Sequence, residues 1–345
     1  MSTNISDLVL TLVAQNPSWS NDQIADEVQR RVPGSTTSGA SVSSIKSKAK
    51  KNGGQQGLVT FDTASEALLE ELPTETDEER ADRIKTRYHT LERMSHRVSN
   101  GGVPALIVSG PPGLGKSYTV EETLRNTENM VDASTLNPDE VFALAEEHTP
   151  MYDIICGTIT APGLYIALWN MRNGGVLVLD DCDDAFRDET SLNLLKAVLD
   201  SSSTRRVSYR KRASWLEELG IPSSFEFNGS VVFCTNVDFE AAIKKGTGMA
   251  THFEALIDRC LYLSLTMRTK EDFITRIQQV AIEEGLLEAQ GLTEEEAHEL
   301  MNFILENRDN FYGLSLRLVL QVAACYKEDK ENWRDDVTAT KMRTF

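Results

Sequence analysis

The chain has 345 residues, 40 % of them hydrophobic and 26 % charged, ordinary proportions for a soluble globular protein of one large domain or two to three ordinary ones. Its formal net charge of −18 argues against a protein that coats nucleic acid over its whole surface. No membrane span is expected without a run of about 18 apolar residues, and Met1 to Leu10 lacks the basic start of a secretion signal. The cysteines (Cys156, Cys182, Cys234, Cys260, Cys325) are odd in number and unpaired at metal-ligand spacing, which fits reduced thiols in a cytoplasm.

Residues 1–53 carry six Lys/Arg against four acids, a net +2 that leaves −20 on the remainder. A basic module on an acidic body is expected to mark a nucleic-acid-contacting appendage. Ile5, Leu8, Val9, Leu12 and Val13 repeat at helical spacing. Ser20 with Gln23 opens a second helix carrying Ile24, Val28 and Val32, ended by Pro33-Gly34. A third helix is expected over 41–51, with Val42, Ile45 and Ala49 on one face and Ser43, Lys46, Ser47 and Lys50 on the other. Residues 1–52 thus read as a helix-turn-helix-like module that contacts DNA, or as a small bundle with a solvated lysine face. Residues 53–74 read as a linker, opened by Gly53, Gly54 and Gly57 and closed by Glu70, Glu71 and Pro73.

From 75 onward a helix over about 77–98 leads to apolar runs at Ala105–Ser109, Tyr152–Ile159, Val176–Leu179, Val231–Thr235 and Leu261–Leu265. Strands alternating with helices predict an α/β fold built on a parallel sheet, here over 75–266. Beyond about 269 the pattern is helical, with Thr269 and Thr293 as N-caps and breaks at Gly285, Gly291 and Gly313. A C-terminal helical lid domain over 267–345 is expected.

The strand Ala105–Ser109 runs into Gly110-Pro111-Pro112-Gly113-Leu114-Gly115-Lys116-Ser117, and a helix follows. That is the Gly-x-x-x-x-Gly-Lys-Ser pattern of a P-loop in its proper strand–loop–helix setting. Its glycines let backbone amides turn onto phosphates, and the helix N-terminus adds positive charge. Lys116 is expected to reach the β- and γ-phosphates, and the Ser117 hydroxyl to take a Mg²⁺ position. Val176–Leu179 ends in Asp180-Asp181, as a buried parallel strand does when it delivers carboxylates to its C-terminal edge. Asp180 is the second candidate Mg²⁺ ligand, through water. Asp181 would orient or deprotonate the attacking water, with Asp183 and Asp184 as rivals.

With these two elements the chain resembles the AAA+ ATPases over roughly 75–330, and in overall look those encoded by phages and other mobile elements. The resemblance implies a three-layer P-loop NTPase core, ATP as substrate and Mg²⁺ as cofactor. It implies a polar sensor at the end of Val231–Thr235, which Asn236 matches, and an arginine finger before the last core strand, which Arg259 matches with Arg205 or Arg206 as rivals. Gly313-Leu314-Ser315-Leu316-Arg317 is similar to the family's second sensor, making Arg317 a γ-phosphate contact at the start of a lid helix. Because a finger acts on a neighbour's nucleotide, the resemblance also implies a homo-oligomer, a ring.

Three departures stand out. Asp181 replaces the usual Glu, which puts fast hydrolysis in question. Residues 158–163 lack the aromatic–apolar pair of protein-threading members. An insertion at Arg205–Phe227 begins basic (Arg205, Arg206, Arg210, Lys211, Arg212) and would face a pore, DNA or solvent. The expected function is an oligomeric motor or loader acting on DNA or a DNA-bound complex. The alternatives are a slow or non-hydrolysing nucleotide-gated switch, or a chaperone-like remodeller of an unidentified protein client.

Overall fold

Short runs of valine, isoleucine and leucine with no polar alternation suit strands covered on both faces, which is how parallel sheets are built. The computed structural model describes residues 9, 12, 19–32, 36–44, 75–200, 202, 204–210, 214–265, 267 and 269–343. It contains one six-stranded sheet of β1 (Ala105–Ser109), β2 (Val131–Asp132), β3 (Met151–Cys156), β4 (Val176–Asp180), β7 (Ser230–Thr235) and β8 (Leu261–Ser264). The order is β2-β3-β4-β7-β1-β8, and every pairing is parallel. The five apolar runs are all strands of this sheet. β3 stops three residues earlier than expected because Gly157 turns the backbone at φ +89°. The two-residue β2 at the edge was not legible as a strand.

The connections are helical. α2 (Asp77–Ser99) precedes β1, α3 (Lys116–Arg125) follows it, and α4 (Pro138–Glu146), α5 (Ala161–Asn170) and α6 (Glu189–Val198) come before β7. α8 (Phe239–Lys244) and α9 (Ala250–Arg259) lead to β8. This is the expected α/β three-layer P-loop NTPase core. After β8 the chain is helical: α10 (Lys270–Gln278), a π-helical turn (Gln279–Glu283), α11 (Leu286–Ala289), α12 (Glu294–Glu306), α13 (Leu316–Glu328) and α14 (Trp333–Lys341). Capping boxes at Thr269/Asp272 and Thr293/Glu296 start α10 and α12. These helices bury Leu300, Ile304, Val319, Val322 and Trp333 in a core continuous with that of α2 and the sheet.

The insertion before β7 is folded. β5 (Arg206–Ser208) and β6 (Ser224–Glu226) pair antiparallel around α7 (Ser214–Glu218). Tyr209, Trp215 and Phe225 pack their rings on Tyr165 of α5. Arg205 is no finger: it is buried and donates to the carbonyls of Val198 at 2.9 Å and Pro104 at 3.2 Å. Arg206 and Arg210 are exposed, and Lys211 and Arg212 lie outside the described residues.

The chain divides into two compact units, the smaller taking the chain up to Leu58 together with Ala242–Thr251 and the larger Val59–Ala241 with His252–Phe345. In the smaller, α1 (Asn21–Arg31) starts at the expected Ser20/Gln23 capping box. Val9, Leu12, Ile24, Ala25, Val28 and Val42 form its buried cluster. The third helix begins at 39 rather than 41. The rest of that helix, with Lys46, Ser47 and Lys50, and the expected linker 53–74 lie outside the described residues. Among the described residues no helix is long and apolar enough to cross a membrane.

Candidate functional site

The sheet order puts β7 between β1 and β4, so three strand ends meet at one C-terminal edge. Backbone bonds carry the pairing one residue past the strands. Gly110 N–H donates to Thr235 O at 3.1 Å, and Asp181 N–H donates to Cys234 O at 2.9 Å. The first residue of the glycine loop and the second acid are thereby tied to the strand between them.

The loop itself follows from its glycines. Gly115 is the N-cap of α3 at φ +95°, and no side chain caps this ten-residue helix. Its first amides and their partial positive charge face the cavity, the arrangement that binds an anion. Gly113 sits at φ +73°, and a Cβ there would meet Ser315 Cβ at 2.8 Å. That close approach lets Leu316 N–H, the first amide of α13, donate to Gly113 O at 2.8 Å. Gly113→Ala is therefore expected to be more harmful than Gly101→Ala, which has a similar φ of +69° but nothing within 4 Å. The left-handed penalty is about 1–2 kcal/mol in each, and the clash adds to it at Gly113 alone. Thermal melts of the two variants measure the difference.

The side chains then close a network. Lys116 is buried and donates to Pro111 O at 3.0 Å and to Asn236 Oδ1 at 2.7 Å. Asn236 Nδ2 donates to Asp181 Oδ1 at 2.7 Å. Ser117 Oγ donates to Asp180 Oδ1, whose other oxygen lies 3.8 Å from the Cys156 thiol. Burial lowers the Lys116 ammonium pKa, with the surrounding acids opposing the shift. A bound polyanion would relieve that desolvation. Desolvation and the adjacent Asp180 charge raise the Asp181 carboxyl, while Lys116 and Arg317 pull it back.

Asp181 also has an unusual backbone. Its φ is +53°, in the left-handed region that Asp and Asn enter far more readily than Glu. Aspartate is thus among the residues that this backbone conformation tolerates best. The rival acids are engaged elsewhere. Asp183 accepts from Thr235 Oγ1 at 2.5 Å, and burial pushes its carboxyl up to about 6. Asp184 pairs with Arg187 at 2.7 Å. Of these acids only Asp181 lines the cavity.

A cavity of about 910 Å³ opens between α2, the glycine loop with α3, and the helices after β8. Lys116, Ser117, Asp181 and Arg317 line it, together with Tyr88, Arg276 and Gln279. Arg317 enters from the first turn of α13, capped by Ser315. Arg259 does not line it; it ends α9 and donates to Ala255 O at 2.6 Å. The structure thus brings together the glycine loop, Asp180, Asp181, Asn236 and Arg317, and keeps Arg259 apart.

Sequence reading missed the opposite wall. Arg276 is 4 % exposed, lies over the Tyr88 ring at 3.6 Å and bonds Glu284 at 2.7 Å. The Tyr88 hydroxyl donates to Leu114 O at 2.8 Å, which joins α2 to the glycine loop. A signal for Arg276 was present: it stands among Phe273, Ile277 and Val280 at helical spacing, so a cation occupies the apolar stripe.

Ser117 Oγ and the Asp180 carboxylate are hard oxygen donors at the mouth of a helix N-terminus, a donor set that suits Mg²⁺ beside phosphate.

No protein-family model matches the chain. It is 32 % identical over 289 residues to the "Uncharacterized 36.7 kDa protein in nrdC-mobD intergenic region" of Enterobacteria phage T4, covering 83 % of this chain and 84 % of that protein. Among solved structures it is similar to NtrX from Brucella abortus in complex with ATP, at 15 % identity and a TM-score of 0.34, over 92 % of this chain and 67 % of that one. It is also similar to C. elegans PCH-2, at 14 % identity and a TM-score of 0.31, over 80 % of this chain and 70 % of that one. By its identity and coverage against the phage T4 protein, the chain belongs to that protein's family.

Proposed function

We propose that this protein is an ATP-hydrolysing AAA+ ATPase that works as an oligomer, a motor or loader acting on DNA or on a DNA-bound complex. The observation that carries the proposal is the unbroken contact chain Lys116–Asn236–Asp181, beside the Ser117–Asp180 pair, at an uncapped helix N-terminus. Lys116 and the loop amides hold the β- and γ-phosphates. Ser117 and Asp180 hold Mg²⁺, which when bound offsets charge on the phosphate oxygens. Asp181 accepts a proton from, or orients, the attacking water, and Asn236 holds both that carboxylate and Lys116 in register. Arg317 meets the γ-phosphate from the lid. Arg259, outside its own cavity, acts on a neighbouring subunit's nucleotide, where a cation stabilises charge in the transition state. Residues 1–52 tether the assembly to DNA.

A second reading is a nucleotide-gated switch that turns over slowly. It is favoured by the mutual hydrogen bonding of Lys116, Asn236 and Asp181, a self-satisfied set that must be reopened before water can be activated.

The test combines size and turnover. ATP is expected to raise the solution mass above that of a 345-residue monomer, and the specific rate is expected to climb with protein concentration. Arg259→Ala should keep ATP binding and lose that rate. A monomer under ATP whose rate ignores concentration would sink the trans role. No phosphate release in a single turnover, with or without duplex DNA, would leave the switch.

A further inference from the structure

The helix before the glycine loop carries a charge imbalance that the hydrolysis site does not use. Beyond residue 53 the chain is −20 overall, yet residues 83–97 of α2 hold Arg83, Lys85, Arg87, Arg93 and Arg97 against Glu92 alone. Two of these cations are engaged within the fold. Arg83 pairs with Glu75 and Asp272, and Arg87 donates to the Ser264 carbonyl. The other three are exposed, as are His89 and His96. Arg93 donates to Thr90 Oγ1 at 3.0 Å, and among the described residues neither its guanidinium nor that of Arg97 is paired with a carboxylate. Lys85 lies 3.7 Å from Glu283, with both side chains more than half exposed, a pair worth little. At about 100° per residue, Lys85, His96, His89, Arg93 and Arg97 fall in one sector about 120° wide, with Glu92 about 20° beyond its edge. Ile84, Tyr88, Leu91, Ser95 and Val98 are buried on the opposite side. A merely solvated face mixes signs, as the pairs Lys330–Glu296 and Arg334–Glu299 do further along the chain. Here one sign dominates for about three turns.

We infer that the outer face of α2 is a track for the phosphate backbone of a single DNA strand. DNA rather than RNA is taken from the DNA-directed reading above, on which this track rests; the single strand follows from the geometry. Lys85, His89, Arg93 and Arg97 recur every four residues, about 6 Å per step and about 18 Å in all, so successive phosphates of an extended strand meet successive side chains. The two guanidinium forks match phosphate oxygens, and the imidazoles add N–H donors. A helix that enters a duplex groove carries base-reading side chains along its middle and backbone contacts on its flanks. On α2 the cations instead form one continuous line that turns around the helix as it advances. A stiff duplex does not follow that turn, whereas a flexible strand does. Tyr88, the one aromatic residue of α2, is buried, so no ring of this face stacks on bases and the contact is independent of sequence. Lys85, His89 and His96 also line the cavity of about 910 Å³, so the track runs along the nucleotide site. Arg93 and Arg97 are not among its lining residues.

The experiment titrates the full chain into labelled oligothymidylate, oligouridylate and duplex DNA of equal length, by fluorescence anisotropy across a salt series. The parent is expected to bind oligothymidylate with an affinity that falls as salt rises, by about 0.7 in logarithmic slope per phosphate met. Arg93→Gln with Arg97→Gln should weaken that binding about tenfold and reduce the slope by about 1.4. Arg93→Lys with Arg97→Lys keeps the charge and should stay within about threefold of the parent. Lys46→Gln with Lys50→Gln, in the N-terminal module, should weaken duplex binding alone. A parent that binds duplex but not the single strand overturns the track and leaves the DNA-directed reading intact; a parent that binds neither removes both. Parent-like strand binding by the folded glutamine variant overturns the track. So does an equal loss of duplex binding in that variant, which makes the occupant a duplex, or tighter binding of oligouridylate by the parent, which makes it RNA. A glutamine variant that keeps the strand but loses the ATP-dependent rise in mass places an acidic surface of a second copy on this face, and the track falls. Both positions are exposed, so the variant should melt as the parent does; were it to melt early, Arg97→Glu alone is titrated in its place.

Discussion

Replacing Lys116 by alanine is expected to abolish ATP hydrolysis while leaving the nucleotide-free protein about as stable as the parent. The ammonium is buried and its pKa is lowered by desolvation, so the folded state carries the cost of a charge out of water. Truncation removes that cost and frees the Pro111 carbonyl and the Asn236 amide, the two groups that accept from Lys116, and the space vacated opens onto the cavity that Lys116 lines, which lets water reach them. What disappears is the charge-assisted contact to phosphate, about 1.5–3 kcal/mol in binding. The added stabilisation of transition-state charge is worth about 10²–10³ in rate. Asp180→Ala should lower the rate comparably through loss of the metal position. Two measurements decide. Phosphate release should fall to background in both variants, and the ATP-induced rise in melting temperature should vanish in Lys116→Ala without a drop in the nucleotide-free melt. Parent-like hydrolysis in either variant would falsify the placement of the phosphates.

The second large effect is expected at Asp181. Asp181→Asn keeps the shape that Asn236 binds, and asparagine also tolerates φ +53°, so the variant should fold and bind ATP. It cannot accept the proton. A positioned base contributes about 10²–10⁴ in rate, so single-turnover hydrolysis should fall by about that factor while the ATP dissociation constant holds or tightens. Asp181→Glu should not rescue the rate, because glutamate enters the left-handed region poorly. If the parent is already slow and Asp181→Asn matches it, the switch reading stands in place of the motor.

The features legible in the sequence are those encoded by contiguous residues. The glycine loop, the apolar run into Asp180-Asp181 and the helix caps at Ser20, Thr269 and Thr293 are local patterns with local physics. Features assembled from distant segments were not legible. Tyr88, Arg276 and Gln279 come from helices almost 200 positions apart in the chain, and only packing makes them one wall. The three-residue strands β5 and β6 are serine-containing and too short to show alternation. Arg205 read as a rival arginine finger because nothing nearby in sequence reveals that the carbonyls of Pro104, Val198 and Gly229 surround it. The left-handed backbone at Asp181 was not legible either, because it is set by the turn after the strand and not by the residue type alone.

The bond from Leu316 N–H to Gly113 O has a kinetic consequence. It joins the helix that carries Arg317 to the loop that would cradle phosphate, through main-chain atoms that meet only because Gly113 has no side chain. Under the ATPase reading, swinging that helix away breaks this bond, and a nucleotide enclosed beneath it leaves through the same opening. Product release and helix movement then share one barrier, so a slow overall cycle need not mean slow chemistry.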